Sequence, residues 1–218
     1  MASIKAVIFD MGGVLIKSPV QLFVETKLNH IDNCPSATEL KKVLQHPDFV
    51  ATMNAAEDGR ICAYEFEELY TTFCRQHFNL PDLPQLNWIT SIGDLVDTTD
   101  LMVKSMTDAV EKIRQKGITT AVLTNNIWMD ERHVKSMLFL RKELFDYVFE
   151  SCRLGLIKPH HQIYNYALRE LNCKPDEAVF LDDFLHNIEP AKQLGIHTIW
   201  VRNQDQAAAE LLKLLEIE

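Results

Sequence analysis

The sequence predicts an α/β fold, a Rossmann-like doubly wound parallel sheet carrying an inserted helical cap, on three observations. Short apolar runs dense in branched residues recur along its 218 residues. Stretches with helical spacing separate those runs. The region from Ser18 to Asp97 alone departs from the alternation, with helical patterning and no convincing buried strand. Strands buried on both faces read as continuous apolar runs, and a strand–helix alternation implies a parallel sheet with helices on both sides. The expected division is a core of residues 1–17 and 98–218 and a cap of residues 18–97.

Residues 4–9 form the first run, closed by Asp10-Met11-Gly12-Gly13, so a strand ends in a turn and Asp10 stands at its carboxyl edge. Ligands bind at that edge in open parallel sheets. In the cap, Tyr64, Phe66, Leu69, Tyr70 and Phe73 fall at helical spacing within an expected helix over 63–77, and Phe66, Tyr70 and Phe73 read as cap core. Further strands are expected at 118–123, 147–149, 178–181 and 196–201. Helices are expected over 101–116, 130–140, 160–171, 188–194 and 206–215. Gly117 and Gly195 stand where a left-handed helix end is needed, and Pro159 where a helix opens.

A formal charge of −9 and the absence of a long basic block oppose salt-driven binding to nucleic acid or to an anionic membrane. Small anions are not excluded, because a local pocket can be positive in an acidic chain. Five cysteines, scattered and without a C-x-x-C pair, read as reduced thiols of a cytoplasmic protein rather than a disulfide framework or zinc site. The apolar stretch over 6–16 is broken by Asp10 and two glycines, lacks the order of a signal peptide and is too short to span a bilayer.

Four short motifs close predicted strands or follow them: Phe9-Asp10-Met11-Gly12-Gly13-Val14, Leu123-Thr124-Asn125-Asn126, Ile157-Lys158-Pro159, and Phe180-Leu181-Asp182-Asp183 with Asn187 downstream. Each has a plain reading in isolation. Asp10 is then a turn former, Thr124 a strand end feeding a helix cap, Lys158 a solvated charge, and the two aspartates a cap for the next helix. A parallel sheet brings all four to one edge, and that convergence points to a site. Adjacent carboxylates there let one face a hard, oxygen-seeking cation while its neighbour braces the loop.

The order and spacing of these motifs resemble the four signature motifs of the haloacid dehalogenase superfamily, over almost the whole chain. Residues 122–126 and the stretch Gly155-Leu156-Ile157-Lys158-Pro159-His160-His161-Gln162-Ile163-Tyr164 are most similar to the phosphatase domain at the N-terminus of soluble epoxide hydrolases and to the N-terminal domain of certain acyl-CoA dehydrogenases. With the chain ending at Glu218, neither partner domain is expected. The resemblance implies a phosphatase of a small phosphorylated metabolite. Asp10 is then the nucleophile that forms an aspartyl-phosphate, Thr124 and Asn125 hold the phosphoryl group, and Lys158 is the cation that keeps nucleophile and phosphate together. Mg²⁺ is expected on Asp10, the Gly12 carbonyl and Asp183, with Asp182 and Asn187 in its outer shell. The cap is expected to close over the site; Arg60, in the loop 57–61, is the candidate contact for a substrate anion, and Trp128 and Met129 are candidates for lining a pocket.

One position departs from the family pattern. Most phosphatases of the superfamily carry a second aspartate two residues after the nucleophile, as general acid, and here that residue is Gly12. Such assistance contributes about 10² to 10⁴ in rate. Three outcomes follow: a substrate whose leaving group departs unaided, such as an acyl or anomeric sugar phosphate; a proton from water, His160, His161 or Arg60; or a catalytically weak binding or regulatory module. A dehalogenase also uses an aspartate nucleophile and releases halide without protonation, but it leaves the Asp182-Asp183 pair without a metal to serve.

Overall fold

The computed structural model describes residues 3–28, 34–91, 101–138 and 140–217. In chain order the elements are β1 (Ala6–Phe9), α1 (Pro19–Phe23), α2 (Ala37–Val43), α3 (Val50–Glu57), α4 (Ala63–His77), α5 (Lys104–Gln115), β2 (Thr119–Thr124), β3 (Tyr147–Glu150), α6 (Ser151–Leu154), α7 (His161–Glu170), β4 (Ala178–Asp182), α8 (Leu185–Gln193), β5 (His197–Trp200) and α9 (Gln204–Leu214). They fall into two compact units, one of Met1–Lys17, Leu101–Asn125 and Leu140–Glu218, the other of Ser18–Asp100 and Asn126–Phe139.

The first unit is the α/β unit. Its sheet has the order β3-β2-β1-β4-β5, and every pair is parallel. Phe9 is in register with Val122 on one side and Leu181 on the other, so the carboxyl ends of β1, β2 and β4 finish side by side. From β1 the chain runs outward through β2 to β3 and then crosses to β4 on the other side of β1, so the strand order reverses there, at the switch point where such sheets bind ligands. β1 and β4 are buried at every residue, which explains why they read as continuous apolar runs. Ile8, Ala121, Leu123 and Phe180 share one apolar layer with Ile163, Tyr164 and Ala167 of α7 and with Ile188 and Ala191 of α8. α5 packs against β2, α9 against β5, and the two helices against each other. Burying a side chain of this size stabilises by about 1.5–3 kcal/mol, so this layer is what fixes the strand ends.

The second unit is helical. Phe49 lies against Phe66, Tyr70 and Phe73, with ring centroids 5.8, 5.6 and 5.1 Å away, and the Tyr70 hydroxyl donates to the Leu40 carbonyl at 2.8 Å. Phe66 and Tyr70 of α4 are therefore core and Phe73 is half-buried beside them, whereas Tyr64 is exposed. Glu67 is buried, and its carboxylate accepts the Ile89 and Thr90 backbone N–H groups at 2.6 and 2.9 Å, tying α4 to the segment that follows it.

Two sequence expectations are corrected. Residues 130–138 are not helical: Trp128 makes isolated bridges to Cys62 and Ser136, and the segment belongs with the helical unit. The Asp130 carboxylate accepts the N–H groups of Arg132 and Lys135 at 2.9 Å each, and His133 takes a φ of 55°, so local side-chain bonding displaces the helix its spacing allows. α8 starts at Leu185 rather than at 188, which puts Asn187 in its first turn, and α7 starts at His161, just past Pro159. Gly117 and Gly195 take the expected positive φ, 73° and 91°. The boundary expected between 97 and 98 lies outside the described residues, as does position 139. Among the described residues, no helix is long and apolar enough to cross a membrane.

Candidate active site

Asp10 follows β1, and its N–H donates to the Leu181 carbonyl at 2.8 Å, extending the ladder by one step and fixing where the carboxylate starts. Lys158, carried on the loop before α7, reaches this edge with its ammonium 2.7 Å from Asp10 Oδ1 and 2.7 Å from Asp182 Oδ2. Lys158 is 2% exposed and Asp182 fully buried, so these charges are desolvated and each depends on the other. Burial alone would lower the Lys158 pKa, but the two carboxylates outweigh it and hold the ammonium protonated, above the ordinary lysine value. Burial pushes the Asp10 carboxyl up to about 6, with Asp182 adding to the rise and Lys158 opposing it. The Lys158 ammonium also stands 5.4 Å from the centre of the Phe180 ring.

The partners of these groups explain their placement. Both ends of the Asn125 amide grip the Lys158 main chain: Lys158 N–H donates to Asn125 Oδ1 at 2.8 Å, and Asn125 Nδ2 donates to the Lys158 carbonyl at 2.9 Å. This two-point clamp joins the end of β2 to the lysine loop. For Asn125 the structure shows this positioning role toward the lysine loop. Asp182 accepts the Phe184 N–H at 2.8 Å and both its oxygens accept Asn187 Nδ2, at 3.1 and 3.0 Å. Tyr164, buried under the site, donates its hydroxyl to the Asn187 carbonyl at 2.8 Å. Thr124 is buried at the end of β2, where its hydroxyl donates to the Asn125 carbonyl at 3.3 Å.

Asp10, Asp182 and Asp183 each offer a carboxylate oxygen, and these oxygens lie within 4.8 Å of one another. Three carboxylates around one ammonium leave an excess of negative charge on hard oxygen donors, a donor set that fits Mg²⁺. The Asp183 carboxylate lies against Gly13, whose φ is +83° and where a Cβ would collide with Asp183 Oδ2. A Gly13→Ala variant is therefore expected to displace Asp183, to lose about 1–3 kcal/mol of stability through left-handed strain, and to weaken metal binding. Thermal melting with EDTA and with Mg²⁺ checks this; an unaltered Mg²⁺-induced shift would refute it.

A family model for haloacid dehalogenase-like hydrolases matches residues 4–195. The chain belongs to that family. It is 36% identical over 214 residues to acyl-CoA dehydrogenase family member 10 of Mus musculus, a match covering 98% of this chain and 19% of that protein. It is 36% identical over 162 residues to bifunctional epoxide hydrolase 2 of Rattus norvegicus, covering 72% of this chain and 29% of that one. The chain thus spans less than a third of either relative. A match of 26% identity to D-ribitol-5-phosphate phosphatase of Bacteroides thetaiotaomicron covers 97% of this chain and 98% of the other. In fold, it resembles a HAD-like hydrolase of Porphyromonas gingivalis over the full length of both chains, with a TM-score of 0.60 and 22% identity.

Within this haloacid dehalogenase-like hydrolase, the residues selected from the sequence at positions 10, 124, 125, 158, 182, 183 and 187 all lie in the α/β unit at the carboxyl edge of the sheet. Arg60 lies in the helical unit, where its guanidinium pairs with Asp58 at 2.8 Å. Gly12 forms an isolated bridge with Ile16 in the turn after β1 and has no side chain to offer the edge. His160 and His161 are exposed at the start of α7. Sequence reasoning assigned no role to Tyr164, Trp200 or Gln204. The Trp200 indole donates to the Asp183 carbonyl at 3.0 Å and the Gln204 amide to the Gly13 carbonyl at 3.1 Å, contacts that no local pattern announces.

Proposed function

We propose that this hydrolase is a Mg²⁺-dependent, cytoplasmic phosphatase that cleaves a small phosphorylated metabolite through an aspartyl-phosphate on Asp10. The observation that carries this reading is the buried Lys158 ammonium bridging Asp10 and Asp182 at 2.7 Å each, beside a third carboxylate, Asp183. A relative that acts on D-ribitol 5-phosphate and aligns along nearly the whole of both chains supports a phosphate ester as substrate. None of the five cysteines is in a disulfide, which suits a reducing compartment.

An Asp10 carboxylate oxygen attacks phosphorus, the bond from phosphorus to the leaving oxygen breaks, and the bonding pair departs with that oxygen. Water then attacks the acyl phosphate, releasing inorganic phosphate and restoring the carboxylate. Lys158 neutralises charge on the equatorial oxygens and holds Asp10 as an anion. The Thr124 hydroxyl and the backbone N–H that follows donate to the phosphoryl group. Asn125 contacts the substrate while clamping the lysine loop, and Asp182 and Asn187 keep the ammonium aimed. Asp10, the Gly12 carbonyl and Asp183 would hold Mg²⁺, whose charge, when bound, would shield the approach of one anion to another.

A screen of phosphorylated metabolites with and without Mg²⁺, followed by isolation of a labelled acyl phosphate on Asp10, tests the proposal. Finding neither turnover nor label would reject it in favour of a binding or regulatory module, a reading that Gly12 favours because glycine has no proton to donate. Gly12→Asp separates the cases further. If a missing acid is the limitation, this variant gains about 10²–10⁴ in kcat on an alkyl phosphate. Acyl phosphates, whose leaving groups depart unaided, are expected to gain little, and an equal gain on both substrate types would contradict the role assigned to position 12.

A further inference from the structure

We propose that the turn from Trp200 to Gln204, outside all four motifs, positions Asp183 and thereby sets the affinity of the site for its divalent cation. The proposal rests on the metal-dependent reading above. Three hydrogen bonds carry it. Val201 N–H donates to the Asp182 carbonyl at 2.9 Å, Trp200 Nε1 to the Asp183 carbonyl at 3.0 Å, and Gln204 Nε2 to the Gly13 carbonyl at 3.1 Å. A single turn therefore grips both loops that supply carboxylates to the cluster.

The turn is itself anchored. Asn203 Oδ1 accepts the Gln206 N–H at 3.0 Å and caps α9, whose Ala207, Ala208 and Leu211 are buried, and the Arg202 guanidinium lies 5.0 Å from the centre of the Trp200 ring. Trp200 is 42% exposed at the end of the edge strand β5, a position where burial alone gives little reason for a tryptophan. Its indole N–H supplies the reason. The Asp183 carboxylate and Gly13 already sit too close for a Cβ between them, so a small shift of either loop changes how the Asp10 and Asp183 oxygens face each other. Mg²⁺ tolerates such changes poorly, because it demands near-octahedral geometry at about 2.0–2.1 Å. Groups that orient ligands typically control metal affinity by about 10–100-fold.

The test uses Trp200→Phe, which keeps the ring and removes the donor, Gln204→Leu, which removes the amide, and the double variant. Mg²⁺ binding to the full chain is measured by calorimetry, alongside melting temperature in EDTA. Each single variant is expected to weaken Mg²⁺ binding about threefold and the double about tenfold, while the melting temperature in EDTA holds. A purely structural role would instead lower the melting temperature in EDTA and spare metal affinity in the molecules that remain folded; that result overturns the proposal. Mg²⁺ binding that is measurable in the wild type and equal in all three variants overturns it as well, leaving the phosphatase reading intact. Absence of Mg²⁺ binding in the wild type defeats the metal-dependent reading and this proposal together.

Discussion

Lys158→Met is expected to abolish measurable phosphatase activity and to destabilise the fold by about 3–5 kcal/mol at pH 8. Methionine roughly matches lysine in length and bulk, so the variant removes charge with little loss of packing. What remains are two carboxylates, Asp10 and Asp182, buried and without the ammonium they share at 2.7 Å. Removal of one such positioned donor costs about 10²–10³ in kcat even where the rest of the site survives. Here the ionisation of Asp10, the proposed nucleophile, suffers too. Lys158 opposes the rise in the Asp10 pKa, so its loss drives that pKa above the present value of about 6. A carboxyl whose folded pKa exceeds its unfolded one takes up protons on folding, so stability falls as pH rises from about 4 through the folded pKa. The variant should therefore approach wild-type stability near pH 5 and be weakest above pH 7. Urea denaturation at both pH values reads this directly, and a deficit of equal size at each would show that the unpaired carboxylates are not its source.

The parts of the fold that were legible in the sequence are those where one requirement dominates. β1 and β4 are buried on both faces, and a run of apolar residues satisfies that, so their ends were placed by pattern alone, with Asp10 just past β1 and Asp182 closing β4. Residues 130–138 have helical spacing too, yet the Asp130 side chain offers nearby N–H groups an alternative acceptor, and the choice between the two is energetic rather than a matter of period. The same contrast divides the site. Lys158 and the aspartates belong to compact local motifs. The Asn125 clamp joins residues 33 positions apart and the Gln204 bond to Gly13 spans 191, so neither leaves a trace in local composition.

Asp10→Asn is expected to separate function from stability. Without the carboxylate no aspartyl-phosphate forms, so turnover and labelling should both vanish, whichever leaving group is offered. In EDTA at pH 8 the same variant should melt at a higher temperature than the wild type. Burial, reinforced by Asp182, raises the Asp10 pKa from an ordinary 3.8 to about 6, so the ionised form is disfavoured in the folded protein even with Lys158 beside it. The corresponding penalty is lost on neutralisation and amounts to at most about 3 kcal/mol above pH 6, shrinking towards zero below pH 4, where the wild-type carboxyl is protonated in both states. Lys158 keeps Asp182 as its partner in the variant, so no charge is orphaned by the change. With Asp10 as a ligand in the proposed metal site, Mg²⁺ should narrow the difference by stabilising the wild type more than the variant. A variant that melts below the wild type in EDTA at pH 8 would contradict the view that Asp10 is a carboxylate held ionised against its surroundings.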